Sequence, residues 1–182
     1  RTVAKTSRST IAAVKPSRSK AQRLETATKI RKQYETIAKV TPRANKAKAV
    51  DPDKLPKNFK TLPAGEGSKL LAGVGEYYND NGEFDKAMEF FRDAISLDEA
   101  NQSAKSGYSE SLALKGNELL VKGQANEAKA NFLEALKLDP KNSAAYFGLG
   151  EVYAELDQTS DAIANYEKSL ESNKNLTEIY IP

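Results

Sequence analysis

The sequence predicts an all-α protein built from tandem helix pairs, with a basic, partly helical extension at its N-terminus. Three stretches share one spacing, in which a glycine precedes an alanine by twelve positions and an aromatic residue follows four later. These stretches contain Gly75, Ala87 and Phe91, then Gly116, Ala128 and Phe132, then Gly150, Ala162 and Tyr166. No segment indicates a strand, and a repeated packing pattern of this kind is typical of a solenoid, which acts through its surface.

Residues 1–45 are predicted to form a basic arm with one amphipathic helix at about 20–40. Residues 1–20 contain no acidic and no aromatic residue, so alone they cannot offset the entropy cost of ordering. Apolar residues at helical spacing follow, and Thr41-Pro42 ends the helix because the residue before proline disfavours helical angles. The apolar face contains Leu24, Ala27, Ile30, Tyr34, Ile37 and Ala38. The basic residues of the arm that we predict to take part in binding are Arg18, Lys20, Arg23, Lys29, Arg31 and Lys32.

Residues 46–67 are predicted to be a linker rich in proline, glycine and lysine, and a repeat domain follows at 68–182. Its three helix pairs are separated by tight turns, where Gly82 and Gly123 tolerate a positive φ and Asp157 takes the third such position. The predicted helices are 68–80 with 84–97, 103–122 with 125–138, and 143–156 with 159–172.

The glycines inside the first helix of each pair indicate close packing. A glycine in a helix interior costs about 1 kcal/mol relative to alanine. That cost is explained if two helices cross at Gly75, Gly116 and Gly150, where a side chain would hold them apart. We therefore interpret the repeated residues as core rather than as a ligand site.

These motifs resemble the tetratricopeptide repeat, a helix–turn–helix unit of about 34 residues. The third pair has Tyr146, Leu149-Gly150, Tyr153 and Ala162 at the consensus positions of that family. The resemblance implies a helix–turn–helix solenoid with repeats at about 68–101, 102–142 and 143–176 and the start of a fourth at 177–182.

The spacing between the first two repeats departs from a regular array. The first and second repeat alanines, Ala87 and Ala128, are more widely spaced than the second and third, Ala128 and Ala162, by seven positions. This excess equals about two helical turns, so we expect the second pair to begin early, around Ser103. Tyr180 follows Tyr146 by one repeat length, and we expect the chain to be a segment of a longer protein.

Composition argues against most enzyme classes. The chain contains no cysteine and no histidine, which removes thiolate chemistry, the commonest metal ligands and the commonest general base at neutral pH. We expect no catalytic residue, no metal and no cofactor. No apolar run is long enough to span a membrane, so we expect a soluble or peripheral protein, and the sequence leaves its compartment open.

The resemblance implies a function in protein–protein interaction, because such arrays bind peptides or partner subunits in a concave groove lined by their first helices. The predicted groove is mixed apolar and acidic, which suits a basic or apolar partner. A subclass that grips C-terminal carboxylates is excluded, because Ala72, Glu76, Leu114, Ala144 and Gly148 stand at its binding positions. The principal predicted groove residues are Lys69, Glu76, Asn79, Leu114, Asn117, Phe147, Glu151 and Glu155, and the same transfer adds Ala72, Glu110, Ala113, Leu120 and Ala144.

Charge divides the chain into two unlike parts. Residues 1–60 carry seventeen Lys/Arg against four Asp/Glu, a net charge of +13, and residues 61–182 carry −10. One hypothesis is that the arm docks on the array of its own chain or of a neighbour, which would allow self-association. The rival is a solvated arm that binds nothing here. A further alternative is that the arm attaches to nucleic acid or an anionic surface, although few aromatic residues are present to stack on bases.

Overall fold

The computed structural model describes residues 19–38, 43 and 45–172, and their regular structure is entirely helical. None of the helices in these ranges is long and apolar enough to cross a membrane. Two short 3-10 turns, Pro52–Lys54 and Phe59–Thr61, precede the repeats. The α-helices are α1 (Lys20–Ala38), α2 (Ala64–Asp80), α3 (Phe84–Leu97), α4 (Gln102–Val121), α5 (Ala125–Leu138), α6 (Ser143–Glu155) and α7 (Thr159–Ser172).

The repeats are the helix pairs α2–α3, α4–α5 and α6–α7, and the sequence predicted their turns correctly. Gly82 and Gly123 have φ values of 76° and 75°. Asp157, at the third such position, is also left-handed, with a φ of 58°. A residue with a Cβ is strained in this region, and aspartate is among the few that tolerate it. The bounds of α3, α5 and α7 coincide with the predicted ranges.

The rings of Phe91 and Phe132, each on the second helix of a pair, are held between two glycines. A Cβ added to Gly75 would lie 2.8 Å from the ring of Phe91, and a Cβ on Gly107 of the next repeat would collide with the same ring. Phe91 is fully buried as a result. Phe132 lies in the same way between Gly116 and Gly148. The two rings therefore join successive repeats, a role that the sequence pattern alone did not reveal.

The seven extra positions lie between two packing sites on α4. Gly107, which packs on the first repeat, and Gly116, which packs on α5, are nine positions apart. On α6 the corresponding glycines, Gly148 and Gly150, are two apart. Helix α4 accordingly has 20 residues and begins at Gln102, so the predicted early start is confirmed. At 1.5 Å of rise for each position, the excess displaces the first repeat by about 10 Å along α4 relative to a regular array.

A polar contact also recurs at the junctions between repeats. The Ser68 hydroxyl donates to the carbonyl of Ala94 at 2.7 Å and accepts from Asn101 Nδ2 at 2.7 Å. Asn101 also caps α4, because its Oδ1 accepts from the backbone N–H of Ala104 at 3.0 Å. The cap thus satisfies an otherwise unpaired helix N–H and links two repeats. The second junction repeats the arrangement with Ser109, Ala135, Asn142 and Ala145.

The predicted linker is more structured than expected. Helix α2 begins at Ala64 rather than near residue 68, after Pro63 at its N-cap. Gly65 and Gly67 are poor helix formers, which is why the sequence favoured a linker there. Upstream, Ala47 and Phe59 pack against the core of the first repeat, so this stretch lies on the array instead of spanning open solvent.

Helix α1 packs on α7 and touches α6, in the way that α4 packs on α3 and α6 on α5. It therefore covers the α7 side of the last repeat. Ala27 and Ile30 are buried there with Ile163 and Tyr166. Leu24, predicted to share this apolar face, is 61% exposed, because the contact centres one turn later, on Ala27 and Ile30. The predicted helix end at 39–42, Arg18 and the start of a fourth repeat at 177–182 lie outside the described residues.

Candidate functional site

The first helices α2, α4 and α6 lie side by side and place equivalent residues on one face of the array. Gly75, Gly116 and Gly150 each pack on an aromatic ring of the same repeat. The residues that follow them are Glu76 on α2, Asn117 on α4 and Glu151 on α6. Asn117 is exposed, Glu151 is half-buried and Glu76 is fully buried. The burial of Glu76 is unexpected for a groove residue, and the cause is a segment of the same chain.

That segment, called here the groove segment, consists of Arg43 and residues 45–50 and lies against α2. The backbone N–H of Val50 donates to the carbonyl of Gly73 at 2.8 Å. A Cβ on Gly73 would lie 2.5 Å from Val50 Cγ2 and 2.7 Å from the carbonyl oxygen of Lys48. Only glycine permits this approach. Lys46 Nζ contacts Asp80 Oδ1 at 2.6 Å, one helical turn beyond Glu76.

The side chain of Arg43 enters between α2 and α4. Its Nη2 donates to Glu76 Oε1, and its Nη1 donates to Glu110 Oε2. Nη1 also donates to the backbone carbonyl of Ser106 at 3.3 Å. The Arg43 side chain is 14% exposed and that of Glu76 is 0% exposed. One guanidinium therefore bridges carboxylates from two neighbouring first helices.

The carboxylates near Arg43 oppose the cost of removing its guanidinium from water. Burial lowers the pKa of the Arg43 guanidinium, while Glu110, followed by Asp139 and Asp80, acts to raise it. An arginine remains charged under such conditions. Arg43 Nε and Glu76 Oε2 are buried without a hydrogen-bond partner in the described part of the chain. The pocket thus holds a charged pair whose hydrogen-bonding capacity is not fully used.

The last first helix carries a second arginine contact. Arg31, on α1, pairs with Glu151 at 2.9 Å, and Glu151 also accepts a hydrogen bond from the hydroxyl of Tyr166. The ring of Tyr166 lies 5.4 Å, centroid to centroid, from that of Phe147. Glu76 and Glu151, at equivalent repeat positions, therefore each pair with an arginine from the first sixty positions of the chain.

The remaining predicted site residues are dispersed. Asn79 is buried and its Oδ1 accepts from the hydroxyl of Ser111 at 2.8 Å, so it ties α2 to α4 instead of lining an open groove. Lys69 and Glu155 are exposed, and Leu114 is half-buried. On α1 the predicted basic residues are Lys20, Arg23, Lys29, Arg31 and Lys32, of which Lys29, Arg31 and Lys32 are exposed.

The sequence pattern did not single out Arg43, Lys46 and Gly73. Arg43 and Lys46 stand in a stretch without helical periodicity, so no pattern marks them beyond their charge. Gly73 lies two positions before Gly75, and the sequence alone does not show that Gly73 contacts the groove segment whereas Gly75 contacts the ring of Phe91. The described residues contain no group of three or more acidic side chains arranged to hold a metal ion.

Together these features define a helical-repeat array whose row of first helices carries buried and half-buried carboxylates. Two family models match the repeats, "Tetratricopeptide repeat" at residues 68–101 and 143–176 and "TPR repeat" at residues 116–157. The chain belongs to the tetratricopeptide repeat family, whose members are protein-interaction scaffolds in general.

Relatives match through this repeat region. The chain is 31% identical over 99 residues to a probable UDP-N-acetylglucosamine–peptide N-acetylglucosaminyltransferase SPINDLY of Hordeum vulgare, covering 54% of this chain and 10% of that protein. It is 26% identical over 113 residues to the cell division cycle protein 27 homolog of Caenorhabditis elegans, covering 62% and 14%. The chain thus spans only a small part of these relatives. Among solved structures, "MamA MSR-1 C2" aligns at 16% identity with a TM-score of 0.37, covering 84% of this chain and 97% of that one.

Proposed function

We propose that this chain is a non-catalytic scaffold whose row of first helices binds an extended basic segment of a partner protein. One observation carries the proposal. Arg43, which lies outside the helices, reaches into the array and bridges Glu76 on α2 and Glu110 on α4. The groove segment thus supplies an example of the ligand class that this surface accepts.

The chemistry of the surface supports that ligand class. Glu76, Asp80 and Glu110 bring three carboxylates to one end of the face, where Arg43 pairs with the two glutamates and Lys46 with the aspartate. A close backbone approach to α2 also allows a hydrogen bond to one of its carbonyls. An extended segment offers such backbone groups and spaced side chains at the same time. A basic partner would also be attracted by the net charge of −10 on residues 61–182.

The groove segment would compete with any partner. A tethered ligand acts at an effective concentration in the millimolar range for a short linker. A partner segment must therefore displace Arg43 and its neighbours, or bind more surface than they do. The arm of a second copy carries the same residues, so exchange of arms between copies would produce self-association through the same contacts.

The test uses a fluorescent peptide of residues 41–52 added to the full chain. In the double variant Arg43→Ala/Lys46→Ala the tethered ligand is weakened, so we expect the peptide to bind at least about 10-fold more tightly than to the unchanged chain. Raising the salt concentration should weaken this binding, because exposed ion pairs such as Lys46 with Asp80 are screened.

Two matched substitutions locate the site within this experiment. In the double variant, Glu110→Gln removes a groove carboxylate and should weaken peptide binding. Glu134→Gln removes an exposed carboxylate of α5 that pairs with Lys137, and it should leave binding unchanged. If the peptide binds neither protein at low salt, the proposed groove function is wrong. A rise in the apparent mass of the unlabelled chain with increasing protein concentration would identify exchange of arms.

The alternative, attachment of the arm to nucleic acid or an anionic surface, has less support. Arg31 and Arg43 each pair with a carboxylate of the array, so their charges are already engaged within the chain. Lys29 is exposed on α1 and leaves some positive charge at the surface. No contact in the described residues singles out a phosphate-binding arrangement.

A further inference from the structure

We infer that the cleft between α2 and α4 is an arginine-binding pocket, which Arg43 fills in this chain and which a partner's arginine fills when the partner displaces the groove segment. The pocket is formed by Glu76, Glu110 and the backbone carbonyl of Ser106. This inference rests on the proposed groove function and names the side chain that the groove selects.

The arrangement of acceptors favours a guanidinium over an ammonium. Glu76 is bound through Nη2, whereas Glu110 and the Ser106 carbonyl are bound through Nη1. A planar guanidinium presents donors on separate nitrogens in a fixed fork. Lysine concentrates its donors on one nitrogen, which would have to move toward one carboxylate and leave the other. An ammonium is also more strongly hydrated, so its burial costs more.

The burial of Glu76 makes occupancy of the pocket important to the fold. Its side chain is fully buried, and Arg43 is its one ion-pair partner among the described residues. A buried charge that loses its partner is strongly destabilising. The second oxygen, Glu76 Oε2, is buried without a hydrogen-bond partner in the same ranges and remains able to accept another donor. An empty pocket should therefore recruit a guanidinium from solution.

The pocket is distinct from the arginine contact at the other end of the array. Arg31 pairs with Glu151 while 52% of its side chain is exposed, and Glu151 already accepts from Tyr166. Because half of the Arg31 side chain stays in water, its pair with the 19% exposed Glu151 is partly screened and does not require a buried guanidinium. Selection for arginine is expected at Glu76 and Glu110 only.

The experiment is chemical rescue of the full-length Arg43→Ala variant with methylguanidinium, followed by thermal unfolding. We expect its melting temperature to rise with the logarithm of the methylguanidinium concentration, by about 3 °C at a tenfold excess over the dissociation constant. Methylammonium at the same ionic strength should cause no rise, and neither should methylguanidinium with the unchanged chain. Rescue should also be lost in Arg43→Ala/Glu76→Gln, where the buried carboxylate is absent.

A second measurement remains informative if Arg43→Ala does not fold. The full-length Arg43→Lys variant keeps the charge, and we expect it to melt at a lower temperature than the unchanged chain. We also expect this variant to bind the 41–52 peptide with its native Arg43 more tightly than a 41–52 peptide in which Arg43 is replaced by lysine. Equal rescue by methylammonium, or equal binding of the two peptides, would overturn the arginine pocket while leaving a basic-segment groove intact. Rescue by methylguanidinium without any peptide binding would instead keep the pocket and refute the proposed function.

Discussion

Replacing Gly73 with alanine should reverse the usual effect of a glycine-to-alanine change in a helix. In a helix interior this change normally stabilises by about 1 kcal/mol. Here the new Cβ would lie 2.5 Å from Val50 Cγ2 and 2.7 Å from the Lys48 carbonyl oxygen. Because a backbone atom is involved, the clash cannot be relieved by rotating a side chain.

Residues 48–50 of the groove segment must then shift away from α2. The hydrogen bond from Val50 to Gly73 would be lost, at a net cost of about 1 kcal/mol. Crowding of the packed segment costs about 1 kcal/mol more. Together these terms exceed the gain in helix propensity, so we expect the free energy of unfolding to fall by about 1 kcal/mol.

Two assays measure this effect. Denaturant unfolding gives the change in free energy, and amide hydrogen exchange reports the segment itself through the N–H of Val50. We expect that amide to lose protection in Gly73→Ala. The matched control is Gly67→Ala in the same helix, where the added Cβ would make an ordinary contact at 3.4 Å with the tip of Leu97. That control should stabilise the protein by up to about 1 kcal/mol and leave Val50 protected. If Gly73→Ala behaves like the control, the groove segment does not lie on α2.

Three further substitutions test the repeats. Gly148→Ala would force a Cβ into the ring of Phe132 and should lower the free energy of unfolding by about 1–3 kcal/mol, measured by chemical denaturation. An unchanged free energy of unfolding would contradict the glycine–ring packing. Asp157→Gly removes a left-handed residue with a side chain and should raise the melting temperature by about 2–4 °C, corresponding to about 1 kcal/mol, whereas a decrease would show that the aspartate side chain is needed. Asn142→Ala removes both a helix cap and the hydrogen bond to Ser109, so calorimetry should show a loss of about 1–2 kcal/mol, and a neutral result would mean that water replaces both bonds.

Local signals in the sequence were sufficient for the repeats. Helical periodicity and turn residues act over a few positions, so α3 and α5 have the predicted bounds, and Asp157, which stands where the other turns have glycine, is left-handed like them. The glycines that contact the preceding repeat were missed. Gly107 follows Gly75 at the same interval at which Gly148 follows Gly116, but this spacing becomes visible only once one ring is known to serve two repeats.

The sequence could not place the arm on the array in detail. Its opposite charge made docking one of two hypotheses, and charge alone does not say which arginine meets which carboxylate. Glu76 was assigned to the groove by its repeat position, but its partner Arg43 stands in an irregular stretch with no period to locate it. The close approach at Gly73 depends on the path of the backbone, which composition does not determine.

The most direct test is whether the basic segment lies on the acidic face of its own chain. The sequence contains no cysteine, so Lys46→Cys and Asp80→Cys can be introduced as a single reactive pair. The two side chains meet at 2.6 Å in the structure and are both exposed, so a short bis-maleimide should join them. We expect a cross-link within one chain, with a yield independent of protein concentration. A product joining two chains, or no cross-link at all, would contradict the docked position of the groove segment.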